Sequence, residues 1–314
     1  MTTGSYFNIF RGATFCLFAL TGIAFCSVAQ AAVLEYTPAH LAAERRMALV
    51  IGNDAYSQIV PLKNARNDAR LMAQVLKKAG FEVTMANDLD RDTLWSTIDA
   101  FKGRIQKGDE VAFYFAGHGV QINSSQLLLP IDIAAKSDAQ VQRDGVPLID
   151  VQDALKDARF ALLVIDACRD NPFPKTGTRA IGGTRGLERA DPTTGQIIMM
   201  SAGRNQKALD YVPGRSADHG LFTWELSQTL STPGVEIRAA LEQVKDRVDE
   251  QARRAGHEQR PSLVNDLRGN YYLLASLKPE PLPDTPQPGQ NGGISLEDLA
   301  KAITPVRPRT EAHG

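Results

Sequence analysis

Apolar positions in this chain switch repeatedly between two spacings. Arg46-Met-Ala-Leu-Val-Ile-Gly52 is an apolar run closed by glycine, the pattern of a strand. From Asn64 to Lys78, apolar residues recur at Ala65, Ala69, Met72, Ala73 and Leu76, with Gly80 as the stop. That spacing predicts an amphipathic helix. Phe81 to Ala86 alternates and predicts a strand. Asp92 to Ile105 predicts a helix opened by Asp92 and closed near Gly108. Glu110 to Ala116 is a third strand and Ile149 to Ala158 a further helix. Ala161 to Ile165 is continuously apolar, rich in branched side chains, and followed by turn formers at Asp170, Asn171 and Pro172. Such a run fits a strand buried on both faces of a parallel sheet. Strand and helix in succession predict an α/β fold, with a mainly parallel sheet covered by helices.

Beyond that run the periodicity lapses. Asp170 to Gly195 is rich in Gly, Pro, Thr and Arg and reads as a surface loop. Gln196 to Ser201 resumes as a strand. Leu221 to Leu230 and Glu236 to Ala255 predict helices, and Tyr271 to Leu274 a last strand. Lys278 to Gly293 is rich in Pro, Gly, Gln and Asn, the composition of a flexible linker. Ile294 to Ile303 is either a short helix or, the preferred reading, part of a disordered tail. Residues 278–314 are therefore linker and tail.

The other end of the chain carries a different signal. Met1 to Arg11 is polar, Ala13 to Val28 is mostly apolar and uncharged, and Ala29-Gln30-Ala31 has the small-x-small form of a signal-peptidase site. Residues 1–31 read as a secretory signal, so the chain is expected to be exported, periplasmic or secreted. An uncleaved membrane anchor is the alternative. The folded domain is then 32–277, with its core at 46–274.

Removing the signal changes the cysteine arithmetic. Cys16 and Cys26 leave with it, so the mature chain keeps one thiol, Cys168, and no internal disulfide is possible. On the strand itself that cysteine would be an inert hydrophobe. Beyond the strand end, between Asp166 and Arg169, it reads as reactive. Ligands of open α/β sheets bind just past the carboxyl ends of the strands. The third strand ends in Ala116-Gly117-His118-Gly119, so His118 leaves the same edge of the sheet. A free thiol is mostly protonated near neutrality and needs a base. His118 is the candidate. His219 reads as a loop residue, and His40, His257 and His313 lie in polar context. The length of 314 residues, 43% apolar, 23% charged, with a formal net charge of -1, is ordinary for a soluble domain and argues against a nucleic-acid surface. No zinc-type ligand cluster appears, and Gly182-Gly183-Thr184-Arg185-Gly186 follows no strand, against a phosphate loop.

These residues carry a family resemblance. The caspase signature is Gln-Ala-Cys-[Arg/Gln/Gly]-Gly, with a histidine about fifty residues upstream. Asp166-Ala167-Cys168-Arg169 and His118-Gly119 match it in order and spacing. Leu62-Lys63-Asn64-Ala65-Arg66-Asn67-Asp68-Ala69 and Tyr114-Phe115-Ala116-Gly117-His118-Gly119 are similar to motifs of the metacaspase, paracaspase and bacterial caspase-domain branch, peptidase family C14. The resemblance covers about Arg46 to Leu274 and implies a three-layer caspase-like fold. It implies a cysteine endopeptidase acting on polypeptides, with His118 and Cys168 as the catalytic pair and an oxyanion hole from the backbone amides of Gly119 and Cys168. No cofactor is implied; the calcium dependence of some relatives stays open, as does the oligomeric state.

The departures from the caspase pattern also speak. Asp166 stands where caspases have Gln, and in this branch an acid there lines the pocket for the residue before the cut. Asp68 matches a second pocket acid, and Asp210 is the candidate third. The resemblance therefore implies cleavage after Arg or Lys, since paired carboxylates select a cation. For Asp68 alone, a favourable place at a helix start is an equal reading. Asp170 replaces the glycine after Arg169. In relatives the loop region separates two halves of the domain. Here Arg179, Arg185 and Arg189 are candidate self-cleavage sites. A non-catalytic caspase-like module that binds peptides or partners is the alternative reading. An asparaginyl peptidase of the same clan is a third, disfavoured by Asp68 and Asp166.

Overall fold

Parity along three adjacent strands sorts the core into two layers. The computed structural model describes residues 45–122, 125–134, 136–167, 194–203, 206–212, 214 and 218–275. The elements run β1 (Arg46–Gly52), α1 (Ala65–Lys78), β2 (Glu82–Asn87), α2 (Arg91–Lys102), β3 (Glu110–Gly117), β4 (Gly119–Ile122) and β5 (Ser125–Leu128). They continue with α3 (Asp138–Asp144), β6 (Val146–Pro147), α4 (Leu148–Ala154), β7 (Phe160–Ala167), β8 (Gln196–Met200), α5 (Leu221–Leu230), α6 (Ile237–Arg254) and β9 (Ser262–Asn265). The main sheet has the order β2-β1-β3-β7-β8-β9, and a smaller sheet has the order β4-β5-β6.

β1, β3, β7 and β8 are parallel and apolar on both faces, so each strand feeds two cores. Met47, Leu49, Val111, Phe113, Leu163 and Ile198 point toward α2 and α4, meeting Leu94, Ile98 and Val151. Val50, Tyr114, Leu162, Val164 and Met199 point the other way and meet α1, α5 and α6 through Met72, Leu76, Leu226 and Val244. This is a three-layer α/β caspase-like fold, as expected. Gly52 lets α1 come close: a Cβ there would lie 2.6 Å from the carbonyl of Ala65. At the amino ends of the strands, buried Glu110 is paired with Arg46 at 2.7 Å and with Arg159, and accepts from the Tyr271 hydroxyl. Among the described residues no helix is long and apolar enough to cross a membrane.

Some elements differ from expectation. α2 starts at Arg91 because Asp90, not Asp92, caps it, accepting from the Thr93 amide at 2.9 Å. It stops at Gly103, before Gly108. α4 is a shorter helix than Ile149 to Ala158, ending at Ala154. The region between β3 and α4, for which the pattern predicts nothing, holds the small antiparallel sheet and α3. Tyr271 to Leu274 is not a strand. Tyr272 makes one isolated bridge to Glu236, and Tyr271 stacks on Phe160 with ring centroids 3.5 Å apart. The strand at that edge of the main sheet is β9, antiparallel to β8.

Candidate active site

β3 and β7 are neighbours, and their register pairs Ala116 with Asp166 and Gly117 with Ala167. His118 follows the last pair on one strand. Cys168 follows it on the other in sequence, but lies outside the described residues. So do Arg179, Arg185 and Arg189, the signal segment 1–31 and the tail 278–314.

His118 is held at ring and backbone. Its Nε2 lies 2.8 Å from the carbonyl oxygen of Val60. A carbonyl only accepts, so Nε2 carries the proton and Nδ1 of the neutral ring keeps the lone pair. Burial pulls the imidazole below its usual pKa, and the Val60 contact opposes this more weakly. The ring therefore stays a neutral base to lower pH.

The backbone amide of His118 donates to the Tyr56 hydroxyl at 2.7 Å, which donates to the Leu129 carbonyl at 3.1 Å. The Leu129 amide donates directly to the His118 carbonyl at 3.0 Å. Tyr56 thus stands in for the reciprocal bond of a ladder rung. Its ring meets the imidazole edge-on, centroids 4.6 Å apart. Burial first of all pushes the Tyr56 phenol upward, so it remains a donor. Gly117 makes room: a Cβ there would lie 2.7 Å from the Tyr56 oxygen. The next pair, Gly119 with Leu128, is then a non-hydrogen-bonded pair. The Gly119 amide accordingly points away from β5.

Tyr56 and Val60 belong to the loop between β1 and α1, which is pinned by two acids. Asp54 caps α1 from outside, accepting from the Ala65 amide at 2.8 Å and from Arg66 Nε at 3.1 Å. Asp88, in the left-handed region at φ 50°, accepts from the Asp54 and Ala55 amides at 2.8 and 2.9 Å. Asn64, at the cap position itself, donates its side-chain amide to the Asp210 carbonyl at 2.6 Å.

An open cleft begins at His118. Its lining includes Asp68, Asp166, Asp210, Leu62, Ala208 and Gly220. Asp68 is in the first turn of α1, yet it is buried, and its carboxylate takes partners from a distant segment. Oδ1 is 2.9 Å from His219 Nδ1, and the Gly220 amide donates to both oxygens at 3.2–3.3 Å. Burial, with the charge of Asp166, pushes Asp68 up to about 7, against the hydrogen bonds from His219 and Gly220. Asp166 is also raised by burial; its Oδ2 accepts from the Thr223 hydroxyl at 2.6 Å, which opposes the shift. Behind Thr223, Tyr114 supplies its hydroxyl at 2.6 Å. Burial and the charges of Asp166 and Asp54 raise Asp210 to about 6, with Lys63 pulling the other way.

The structure thus brings His118, Asp68, Asp166 and Asp210 to one cleft. His219 lies in the loop before α5, as read, but its tie to Asp68 was not foreseen. Tyr56, Val60, Thr223 and Tyr114 carried no sequence signal of a role. Elsewhere, His257 Nε2 meets the Lys207 carbonyl at 2.7 Å. Among the described residues, no group of three or more His, Cys, Asp or Glu side chains is arranged to hold a metal ion.

Comparison with known proteins places this geometry. The family described as Peptidase_C14, caspase domain, matches residues 45–272. Human mucosa-associated lymphoid tissue lymphoma translocation protein 1 is 29% identical over 98 residues, 31% of this chain and 12% of that protein. Its mouse homolog is 29% identical over 90 residues, 29% of this chain and 11% of that protein. The match therefore spans only about an eighth of these relatives or less.

Proposed function

From the premise that this chain belongs to the C14 peptidase family, whose domain is the caspase domain, we propose that it is a cysteine endopeptidase cutting polypeptides after Arg or Lys. Cys168 is the nucleophile and His118 its proton partner. The observation that carries this reading is the fixed tautomer of His118, with Nε2 engaged by Val60 and Nδ1 left to work at the mouth of an acid-lined cleft. The register of β3 and β7 supports the pairing, since the two residues follow partnered positions on adjacent strands.

In the proposed reaction, His118 Nδ1 takes the Cys168 proton, and the thiolate attacks the peptide carbonyl carbon. The resulting oxyanion is met by the amides of Gly119 and Cys168. Nδ1–H then protonates the leaving amine as the C–N bond breaks, leaving a thioester. Water, deprotonated by the same imidazole, hydrolyses the thioester and restores the thiol. Asp68 and Asp166 hold the substrate cation, with Asp210 at the cleft wall. This chemistry needs no metal. The chain acts outside the cytoplasm once residues 1–31 are removed.

The test is a fluorogenic peptide panel ending in Arg, Lys, Asp or Asn, with Cys168→Ala and His118→Ala as controls. Cleavage after Arg and Lys is expected, abolished in Cys168→Ala and reduced by roughly two to four powers of ten in His118→Ala. Undiminished turnover in Cys168→Ala removes the reading. A folded, inert wild type that still binds Arg peptides establishes the binding-module reading instead.

A further inference from the structure

We propose that the turn His219-Gly220, with Thr223 in the first turn of α5, determines the specificity of the pocket by fixing the spacing and charge of its two buried acids. This rests on the reading of the cleft as the site for a cationic side chain. Asp68 comes from α1 and Asp166 from the end of β7. The segment leading into α5 touches both. His219 Nδ1 and the Gly220 amide hold Asp68, and the Thr223 hydroxyl holds Asp166. Gly220 lies between them: a Cβ there would be 3.2 Å from Asp68 Oδ2 and 3.8 Å from Asp166 Oδ2.

The physical need for such an element is plain. Two carboxylates in one buried site repel each other and tend to share a proton. A protonated acid does not select a cation. Donors aimed at the carboxylate oxygens favour the ionised form, and each acid here receives them from the same short segment. Thr223 has one hydroxyl proton, and giving it to Asp166 leaves Tyr114 as the donor in the contact between the two hydroxyls. His219, Thr223 and Tyr114 are positioning residues, because they act through the acids, while Gly220 lines the cleft itself.

The experiment compares Thr223→Val, which keeps the shape and removes the hydroxyl, with Thr223→Ser, which keeps the hydroxyl. Two readouts are taken on the full mature chain: KM and kcat for an Arg peptide, and equilibrium binding of N-acetyl-argininamide. Thr223→Val is expected to raise KM and weaken binding about tenfold with kcat nearly unchanged, the size of one charge-assisted hydrogen bond. Thr223→Ser is expected to stay within about twofold of wild type. Gly220→Ala, whose backbone φ of -66° accepts alanine, is expected to place a methyl against both acids and weaken binding at least as much. Equal losses in Thr223→Val and Thr223→Ser, or unchanged binding in Thr223→Val and Gly220→Ala, overturn the proposal, as does a wild type that binds no argininamide. A wild type that binds argininamide in a Thr223-dependent way but cleaves no peptide supports the pocket assignment and rejects the peptidase reading.

Discussion

The hydroxyl of Tyr56 sits between the amide of His118 and the carbonyl of Leu129, at 2.7 and 3.1 Å. One side chain thereby replaces a backbone bond where β3 passes into β4. The arrangement ties the His118 amide to its neighbour through a side chain, beside the direct bond from the Leu129 amide to the His118 carbonyl, and gives the imidazole an aromatic edge to rest on.

Removing that hydroxyl should be visible in rate and stability alike. Tyr56→Phe leaves a buried donor and a buried acceptor without their partner, at a cost of about 1–3 kcal/mol. Each kcal/mol lowers the melting temperature of a domain this size by roughly 2–4 °C. The kcat for an Arg peptide is expected to fall about tenfold with KM unchanged, because the imidazole loses its fixed place. Wild-type kcat in a variant with the lowered melting temperature would confine Tyr56 to a folding role.

Neutralising either pocket acid should cost specificity more than folding. Asp68→Asn and Asp166→Asn keep shape and remove charge. For each, kcat/KM after Arg is expected to drop by about 3–5 kcal/mol in transition-state binding, the scale of breaking a buried charge pair. Peptides with a neutral residue before the cut should lose far less. If Asp68→Asn lowers the melting temperature but keeps the Arg preference, Asp68 serves only the start of α1.

The pocket also makes a signed pH prediction. Asp68 is raised to about 7, well above the usual carboxylate range, by burial and by Asp166, with His219 and the Gly220 amide opposing. The folded chain therefore holds a proton there that the unfolded chain has released. Stability from this group is fully present below about pH 4 and is lost as pH rises through about 7. His118, lowered by burial, has the opposite sign below its ordinary value, so the two must be separated. The melting-temperature difference between wild type and Asp68→Asn does this, and it should change across pH 4 to 7. In the same window KM for Arg peptides should fall as pH rises, because the anion that receives the cation forms. A KM that is flat from pH 5 to 8 contradicts this.

Self-cleavage follows from the same specificity. Residues Asp170 to Gly195 follow Cys168 closely in sequence, and a short tether to a site gives an effective concentration in roughly the millimolar range. Cutting after Arg179, Arg185 or Arg189 is expected, with Arg185 and Arg189 favoured over Lys175, which lies only seven positions after the nucleophile. Intact-mass measurement of wild type and Cys168→Ala, purified together, reads the outcome. A whole wild-type chain that cleaves Arg peptides rules out processing in this loop, and fragments in both proteins point to a contaminating protease.

The parts of the fold legible in the sequence were those where several residues repeat one signal. β1, β3 and β7 are long apolar runs, and α1 and α6 carry clear helical spacing. β4, β5 and β6 are two to four residues long, too short for any period to register. Tyr271 to Leu274 looked like a strand because its aromatic and branched residues are there to pack on Phe160 and α6. In the cleft, His118 stood out because it follows the end of a strand, and Asp166 because it stands where caspases have Gln. Val60 could not, since it acts through a backbone carbonyl that every residue possesses. His219 and Asp68 are 151 positions apart, and only the folded chain reveals that they meet.

The loop from β1 into α1 carries more than one duty on a single length of chain. Tyr56 and Val60 steady the imidazole, Asn64 grips the Asp210 carbonyl, and Asp68 forms a wall of the cleft. Asp54 bolts the start of this stretch to the head of α1. Lengthening or shortening it would therefore shift proton transfer and side-chain recognition together. The start of α5 reaches the pocket acids through His219, Gly220 and Thr223, whereas His118 is held by Tyr56 and Val60, so a change in the α5 segment alters recognition without touching the contacts of the histidine.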